Sequence, residues 1–280
     1  MAGKLMVCAT PIGNMDDITY RALEALKNAD LIAAEDTRHT LGLLNHFNIK
    51  TPMISCHQHN EQERSNVILE KLHEGQTVVL VSDAGTPAIS DPGEVLVRRC
   101  RQEGIEVTAL PGACAFVTAL SMSGMPSRRY IFEGFLPTTS KERKALLDRL
   151  IHEERTVIFY ESPHHLKQTL EFLKNGLGER KIALGRELTK RYEEMLFMSL
   201  QEAVEYYSQQ EPRGEYVLIL QGADPEAVAQ ESQQKWESMS FTEHMALYSD
   251  MPPKEAMKQV AKDRGISKRD VYSALLKEEE

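Results

Sequence analysis

No run of apolar side chains in this sequence approaches the roughly eighteen residues that carry a helix across a bilayer. The opening Met1-Ala2-Gly3-Lys4-Leu5 passes straight into a strand-like segment without a hydrophobic leader, so the expected compartment is the cytosol. Cysteine is scarce: Cys8, Cys56, Cys100 and Cys114 are scattered, and no C-x-x-C pair occurs. That argues against a disulfide framework and a structural zinc site, and the thiols read as reduced. An excess of positive charge is also missing. A net charge of -9 argues against a protein that grips nucleic acid with its whole surface, because such binding neutralises many phosphates. Any RNA contact then has to use local patches, such as Arg128-Arg129, Lys141 with Arg143 and Lys144, Arg180-Lys181, Arg186 with Lys190-Arg191, or the stretch 254–269. Each of these alone also reads as an ordinary solvated face.

What is present is a globular chain. Its 280 residues, with 41% hydrophobic and 27% charged side chains, can bury a sizeable core. From Lys4 onward, short apolar runs alternate with helix-period stretches, with turn residues at each junction, the pattern of β-α units in an open, largely parallel sheet. Strands are predicted at 5–9, 31–34, 53–55, 77–81 and 105–109, with helices at 19–28, 38–45, 61–73, 93–103 and 113–122 between and after them. A second alternation begins at Tyr130, with strands at 130–133, 156–160, 181–185 and 216–220 and helices at 141–152, 163–175 and 200–208. The fold class is therefore α/β in two domains, 1–125 and 126–222. Residues 223–238, rich in Ala, Gln, Glu and Asp, read as a linker, and 239–280 as a small helical unit. In that unit, Arg264-Gly265-Ile266 forms a turn before a helix capped by Ser267, which fits a helix-turn-helix or a plain helical hairpin. The acidic end Glu278-Glu279-Glu280 would repel phosphate.

Three loops stand at predicted strand ends. Thr10-Pro11-Ile12-Gly13-Asn14 is a tight turn, although it is not G-x-G-x-x-G, so a dinucleotide site is weakly supported. Ser82 to Gly93, reading SDAGTPAISDPG, suits a backbone cradle in which amide groups and Asp83 hold the polar parts of a ligand. Leu110-Pro111-Gly112-Ala113-Cys114-Ala115 again opens a helix with small residues. Two charged or polar strand ends follow in the second half: Gly185-Arg186-Glu187-Leu188-Thr189-Lys190-Arg191 and Tyr160-Glu161-Ser162-Pro163-His164-His165. The first also reads as a set of structural ion pairs.

Taken in order, TPIGN, AAEDTRHT, HQHNEQE, VSDAGTPAISDPG, LPGACA, EGFLP, FYESPH and RELTK resemble the bacterial small-subunit (16S) ribosomal RNA cytidine 2′-O-ribose methyltransferases, a branch of the tetrapyrrole methylase superfamily. The resemblance runs from about Met6 to Leu220, and the helical tail is similar too. It implies S-adenosylmethionine bound between two α/β domains, usually in a homodimer. Cofactor contacts implied in this way are Pro11, then Asp83, Ala84, Gly85, Ala88 and Ile89. Further along the chain they are Leu110, Cys114, Ala115, Tyr160 and Gly214. The superfamily often has paired serines where this chain has Cys114-Ala115, which leaves backbone contacts there.

Methyl transfer to a hydroxyl is an in-line displacement, and alignment can contribute roughly 7–11 kcal/mol. A base or cation near the oxygen should help, and Arg186, Glu187 or Lys190 is expected in that role, with Glu35 and Asp36 as secondary carboxylates. Arg38, His39, His57 and His59 are expected to meet RNA. His57-x-His59 has no third ligand of suitable spacing, so no metal is expected. The nearest rival is a tetrapyrrole C-methyltransferase, against which the basic RELTKR segment and the helical tail argue. A rival of another class is a non-enzymatic nucleic-acid-binding regulator.

Overall fold

The computed structural model describes residues 3–226, 236 and 239–278. Most of the predicted linker, together with Glu279 and Glu280, lies outside the described residues. Two compact units emerge, one comprising Met1–Leu147 with Arg155–Gln221 and the other Asp148–Glu154 with Gly222–Glu280.

The first unit carries two sheets. Strands β1 (Lys4–Cys8), β2 (Leu31–Ala34), β3 (Met53–Ser55), β4 (Thr77–Val81) and β5 (Glu106–Leu110) pair in the order β3-β2-β4-β1-β5. Every pairing is parallel. Such a sheet is buried on both faces, which is why β2 and β4 read as continuous apolar runs. One face packs around Leu5, Leu31, Ile68 and Leu80, the other around Leu26, Ile32, Leu44 and Val79. Helices α1 (Tyr20–Asn28), α2 (Thr37–His46), α3 (Glu61–His73), α4 (Glu94–Gln102) and α5 (Ala115–Ser123) supply the connections. Their starts are set by local chemistry: Thr19 Oγ1 accepts from the Ala22 N–H, and Asp36 Oδ1 from the Arg38 N–H. Gly124, in the left-handed region, ends α5.

The order places β4, β1 and β5 side by side. Because they are parallel, the loops that follow them emerge at one edge, where the direction of chain progression reverses.

The second sheet contains β6 (Tyr130–Phe135), β7 (Thr156–Glu161), β8 (Lys181–Arg186), β9 (Glu194–Ser199) and β10 (Tyr216–Leu220), ordered β6-β7-β10-β8-β9. Only β6 and β7 run parallel; the remaining pairs are antiparallel. Helices α6 (Ser140–Leu150), α7 (Leu166–Leu177) and α8 (Leu200–Gln209) follow β6, β7 and β9. Strand β9 carries no periodic signal in the residues. Its Glu-Met-Leu-Phe-Met-Ser has neither β-branched residues nor a polar alternation, and as an edge strand it leaves Phe197 exposed.

The second unit contains α9 (Phe241–Ala246), α10 (Pro253–Asp263) and α11 (Lys268–Glu278) around Val260, Ala261 and Val271. Helix α9 was not anticipated, although Ser240 and Glu243 form a capping box that is readable in the sequence. Ser267 caps α11 as expected, its Oγ accepting from the Asp270 N–H at 3.2 Å. Glu278 accepts the N–H groups of Phe241 and Thr242, each at 2.8 Å, so this carboxylate serves the start of α9 rather than a free acidic tail.

Candidate active site

The three loops that follow β1, β4 and β5 are stitched together by the backbone. Thr10 and Gly85 exchange N–H to C=O bonds at 2.8 and 3.1 Å, and Thr86 Oγ1 donates to the Ala113 carbonyl at 3.1 Å. Gly85 adopts φ +77°, and a Cβ there would press on Ile12 at 3.3 Å. Buried Glu61 secures the far end of the middle loop. One of its carboxylate oxygens accepts from the N–H groups of Gly93, Val95 and Leu96 at the start of α4.

These loops form one wall of a cavity of about 500 Å³; the ends of β7, β8 and β10 form the other. Volume and shape suit a small organic ligand. The first wall is acidic. Glu35, Asp83 and Asp91 all line it. The Asp83 N–H donates to Glu35 Oε2 at 3.3 Å, and Asp83 Oδ1 accepts the Asp36 N–H at 3.0 Å. Burial, with the neighbouring charges of Glu35 and Asp83, raises the Asp91 carboxyl to about 6. Desolvation raises Glu35 as well, against the lowering effect of the hydrogen bond it accepts from the Asp83 N–H.

The opposite wall is electrically closed. At the turn after β8, Glu187 and Thr189 adopt φ of +48° and +65°, unusual for residues with side chains. The turn brings Lys190 Nζ to 3.0 Å from Glu187 Oε1 and 2.8 Å from Glu215 Oε2. Glu187 Oε1 also accepts the Glu215 N–H at 3.0 Å. Partial burial acts against charge on Glu187, but Lys190 and the Glu215 N–H outweigh it and hold the carboxyl below its ordinary range. Burial likewise disfavours the Lys190 ammonium, and the two carboxylates more than compensate, raising its pKa. Lys190 therefore stays protonated at neutral pH: it can stabilise developing negative charge and cannot act as a base. Gly214 sits at φ +76°, where a side chain is strained, and a Cβ there would overlap the Glu187 side chain.

Of the residues expected to hold a cofactor, Asp83, Ala84, Gly85, Ile89, Cys114, Ala115 and Tyr160 line the cavity. Pro11, Ala88 and Gly214 do not, but each adjoins a lining residue; Leu110 does not line it either and is buried in the core at the end of β5. Ala88 is itself left-handed at φ +65° and its N–H bonds the Pro92 carbonyl, which shapes the loop. Glu187 and Lys190 line the cavity. Arg186 stands apart, with Nε donating to the Arg213 carbonyl at 2.9 Å and the guanidinium 3.4 Å from Glu194. Arg38 is paired to Asp36 at 2.7 Å with its side chain 90% exposed, and His39 is exposed. His57 is half-buried with Nδ1 unpartnered, 6.1 Å from the His59 ring. None of these four lines the cavity, yet all follow β2 or β3 at the same edge of the sheet. Sequence reading missed Asp91, Glu215 and Phe135. The first sits inside the SDAGTPAISDPG loop, so its carboxylate was available as a signal; Glu215 lies just before β10, with no sequence link to Lys190.

Comparison with known proteins agrees with this geometry. The profile of the Tetrapyrrole (Corrin/Porphyrin) Methylases matches residues 4–204. A relative from Halalkalibacterium halodurans named ribosomal RNA small subunit methyltransferase I is 48% identical over 97% of this chain and 94% of its own length. One of the same name from Escherichia coli O157:H7 is 46% identical over 99% and 96%. Among solved structures, the methyltransferase CobJ superposes with a TM-score of 0.60 at 22% identity, covering 79% of this chain and 95% of that one. The Thermus thermophilus uroporphyrin-III C-methyltransferase complexed with S-adenosylhomocysteine gives 0.56 at 17%, covering 78% and 97%. At such identities the likeness speaks for the fold, and together with the profile and the near full-length relatives it places this chain in the tetrapyrrole methylase family.

Proposed function

We propose that this protein transfers a methyl group from S-adenosylmethionine to the ribose 2′-hydroxyl of a cytidine in small-subunit ribosomal RNA. One observation carries the chemistry: a single cavity has uncompensated carboxylates on one wall and a fixed ammonium, Lys190, on the other. The RNA assignment follows the relatives' name.

The residues present fit the donor. A cavity of about 500 Å³ with a glycine-bent backbone cradle at Gly85 accommodates a nucleoside linked to an amino acid, and Asp83, Asp91 and Glu35 offer countercharge to its cationic groups. When bound, S-adenosylmethionine supplies an electrophilic methyl carbon on a positively charged sulfur. Cys114 and Ala115 would contribute mainly backbone, while Tyr160, whose hydroxyl accepts the Phe116 N–H at 3.4 Å, adds a fixed aromatic surface. Lys190 lowers the cost of negative charge on the attacking sugar oxygen, and Glu187 with Glu215 orients the ammonium. Arg186 braces the turn through Arg213 and Glu194. Arg38, His39, His57 and His59 are assigned to RNA contact, since the strands they follow end at the same edge as the loops.

The working form is read as a homodimer. Val117 and Met122 on α5 and Phe197 on the adjacent edge strand β9 are large exposed apolar side chains, which supports a partner there. A substrate in the ribosomal small subunit supports a cytoplasmic location.

The test supplies labelled S-adenosylmethionine with either small subunits from a strain lacking the enzyme or a tetrapyrrole precursor. Label should enter RNA and protect one cytidine linkage from alkaline cleavage, because a methylated 2′-oxygen cannot attack the adjacent phosphate. Label in the tetrapyrrole alone would refute the reading.

A further inference from the structure

A file of aromatic rings reaches the cavity at Tyr160 and ends in solvent at Phe135, a residue to which the mechanism above gives no role. Phe116 stacks on Phe132 with centroids 4.4 Å apart, and the Tyr160 ring lies 5.0 Å from Phe132 and 5.8 Å from Phe135. Residues 132 and 135 would point to opposite faces of a regular strand, whose side chains alternate. In β6 they do not. Its register against β7 slips between Phe132 and Gly134, and Gly134 takes φ +68°. This bulge turns both phenyl rings to the Tyr160 side, the kind of re-aiming that bulges provide beside active sites. The missing side chain at Gly134 also admits the loop that follows β4: a Cβ there would lie 2.9 Å from Ser90 Oγ.

As a result Phe135 lines the cavity while 58% of it remains exposed. On the neighbouring strand, Phe159 is fully buried. Leaving a phenyl ring in water, held there by a distorted backbone, costs free energy that burial against an apolar partner recovers, and a flat partner can stack on the ring face. A small donor bound between the walls is enclosed, whereas a polymer reaches the cavity from its open side. Unpaired bases stack readily on aromatic rings.

Resting on the reading of an RNA-directed methyltransferase, we infer that Phe135 is the stacking platform for the cytosine base of the nucleotide whose ribose enters the cavity. Stacking on Phe135 holds the splayed nucleotide by its base, which leaves the sugar edge free to enter between the walls.

The experiment uses the full chain and the variants Phe135→Ala and Phe135→Trp. It measures methyl transfer to small-subunit RNA and S-adenosylhomocysteine affinity by calorimetry. Phe135→Ala should raise KM for RNA about tenfold, in line with the loss of one base–aromatic stack. It should leave S-adenosylhomocysteine affinity unchanged, and Phe135→Trp should keep the wild-type KM. An oligonucleotide substrate lacking the target base should then be bound equally by wild-type and Phe135→Ala proteins. Weakened S-adenosylhomocysteine binding with an unchanged KM would assign the ring to the cofactor's adenine and overturn the inference, as would equal KM in all three proteins. Failure of the wild-type protein to methylate RNA would instead overturn the parent reading, and this inference with it.

Discussion

The two walls of the cavity hold the same kinds of charge in opposite states. On the first, Glu35 and Asp91 are half-buried carboxyls that form no ion pair among the described residues, and both are pushed toward the protonated form. On the second, Glu187 shares an ammonium with Glu215 and is held ionised. Burial acts in the same direction on both walls; the difference is whether the fold supplies a counterion. A wall without one is arranged for a cationic ligand, and a wall that already has one presents a fixed dipole to the reaction.

The largest effect should come from breaking the closed wall. Lys190→Ala removes the ammonium paired with both Glu187 and Glu215, and kcat with saturating cofactor should fall on the order of a hundredfold, the scale of losing one charge-stabilising donor. Near-normal turnover would show that the ammonium only braces the turn. Gly214→Ala attacks the same wall through sterics. The new methyl would collide with Glu187 at φ +76°, costing about 1–3 kcal/mol, and thermal unfolding should register the loss. An unchanged melting temperature would mean that the Glu187 side chain has room to move.

The smallest effect sharpens the open wall. Asp91 titrates near 6, so below that pH it is neutral and offers no countercharge, and above it the carboxylate attracts a sulfonium. S-adenosylmethionine affinity should therefore weaken as pH falls through about 6, while the uncharged-sulfur product S-adenosylhomocysteine follows less steeply. Asp91→Asn should flatten the difference and lower S-adenosylmethionine affinity at neutral pH about tenfold, equivalent to one pKa unit of linkage. Stability of the free protein carries the opposite sign. A carboxyl raised from 3.8 in the unfolded chain to about 6 when folded stabilises the protein at low pH, and that contribution is lost as pH rises through about 6. Parallel profiles for the two ligands in wild-type protein would remove Asp91 from donor binding.

Much of this was legible in residues alone. Apolar runs at Leu31–Ala34 and Thr77–Val81 identify buried parallel strands, because both faces of such a strand meet helices. The SDAGTP loop and the RELTK turn are conspicuous through glycine, proline and dense charge. By contrast, β9 and α9 went unseen: the first lacks periodicity, and the second is a short helix whose signal lies in its cap. Arg186 reads like its neighbours Glu187 and Lys190, and only the turn geometry separates them.

The sequence by itself determined the alternation of elements, the bends rich in glycine and proline, and the family, because these depend on local conformational preference and on motif order along the chain. Tertiary structure alone decided that β4, β1 and β5 are neighbours, that Glu215 closes on Lys190, and that a slipped register exposes Phe135. Those outcomes depend on pairing between strands far apart in the chain, and such pairing is selected by how two sheets bury their faces, information that no single segment contains.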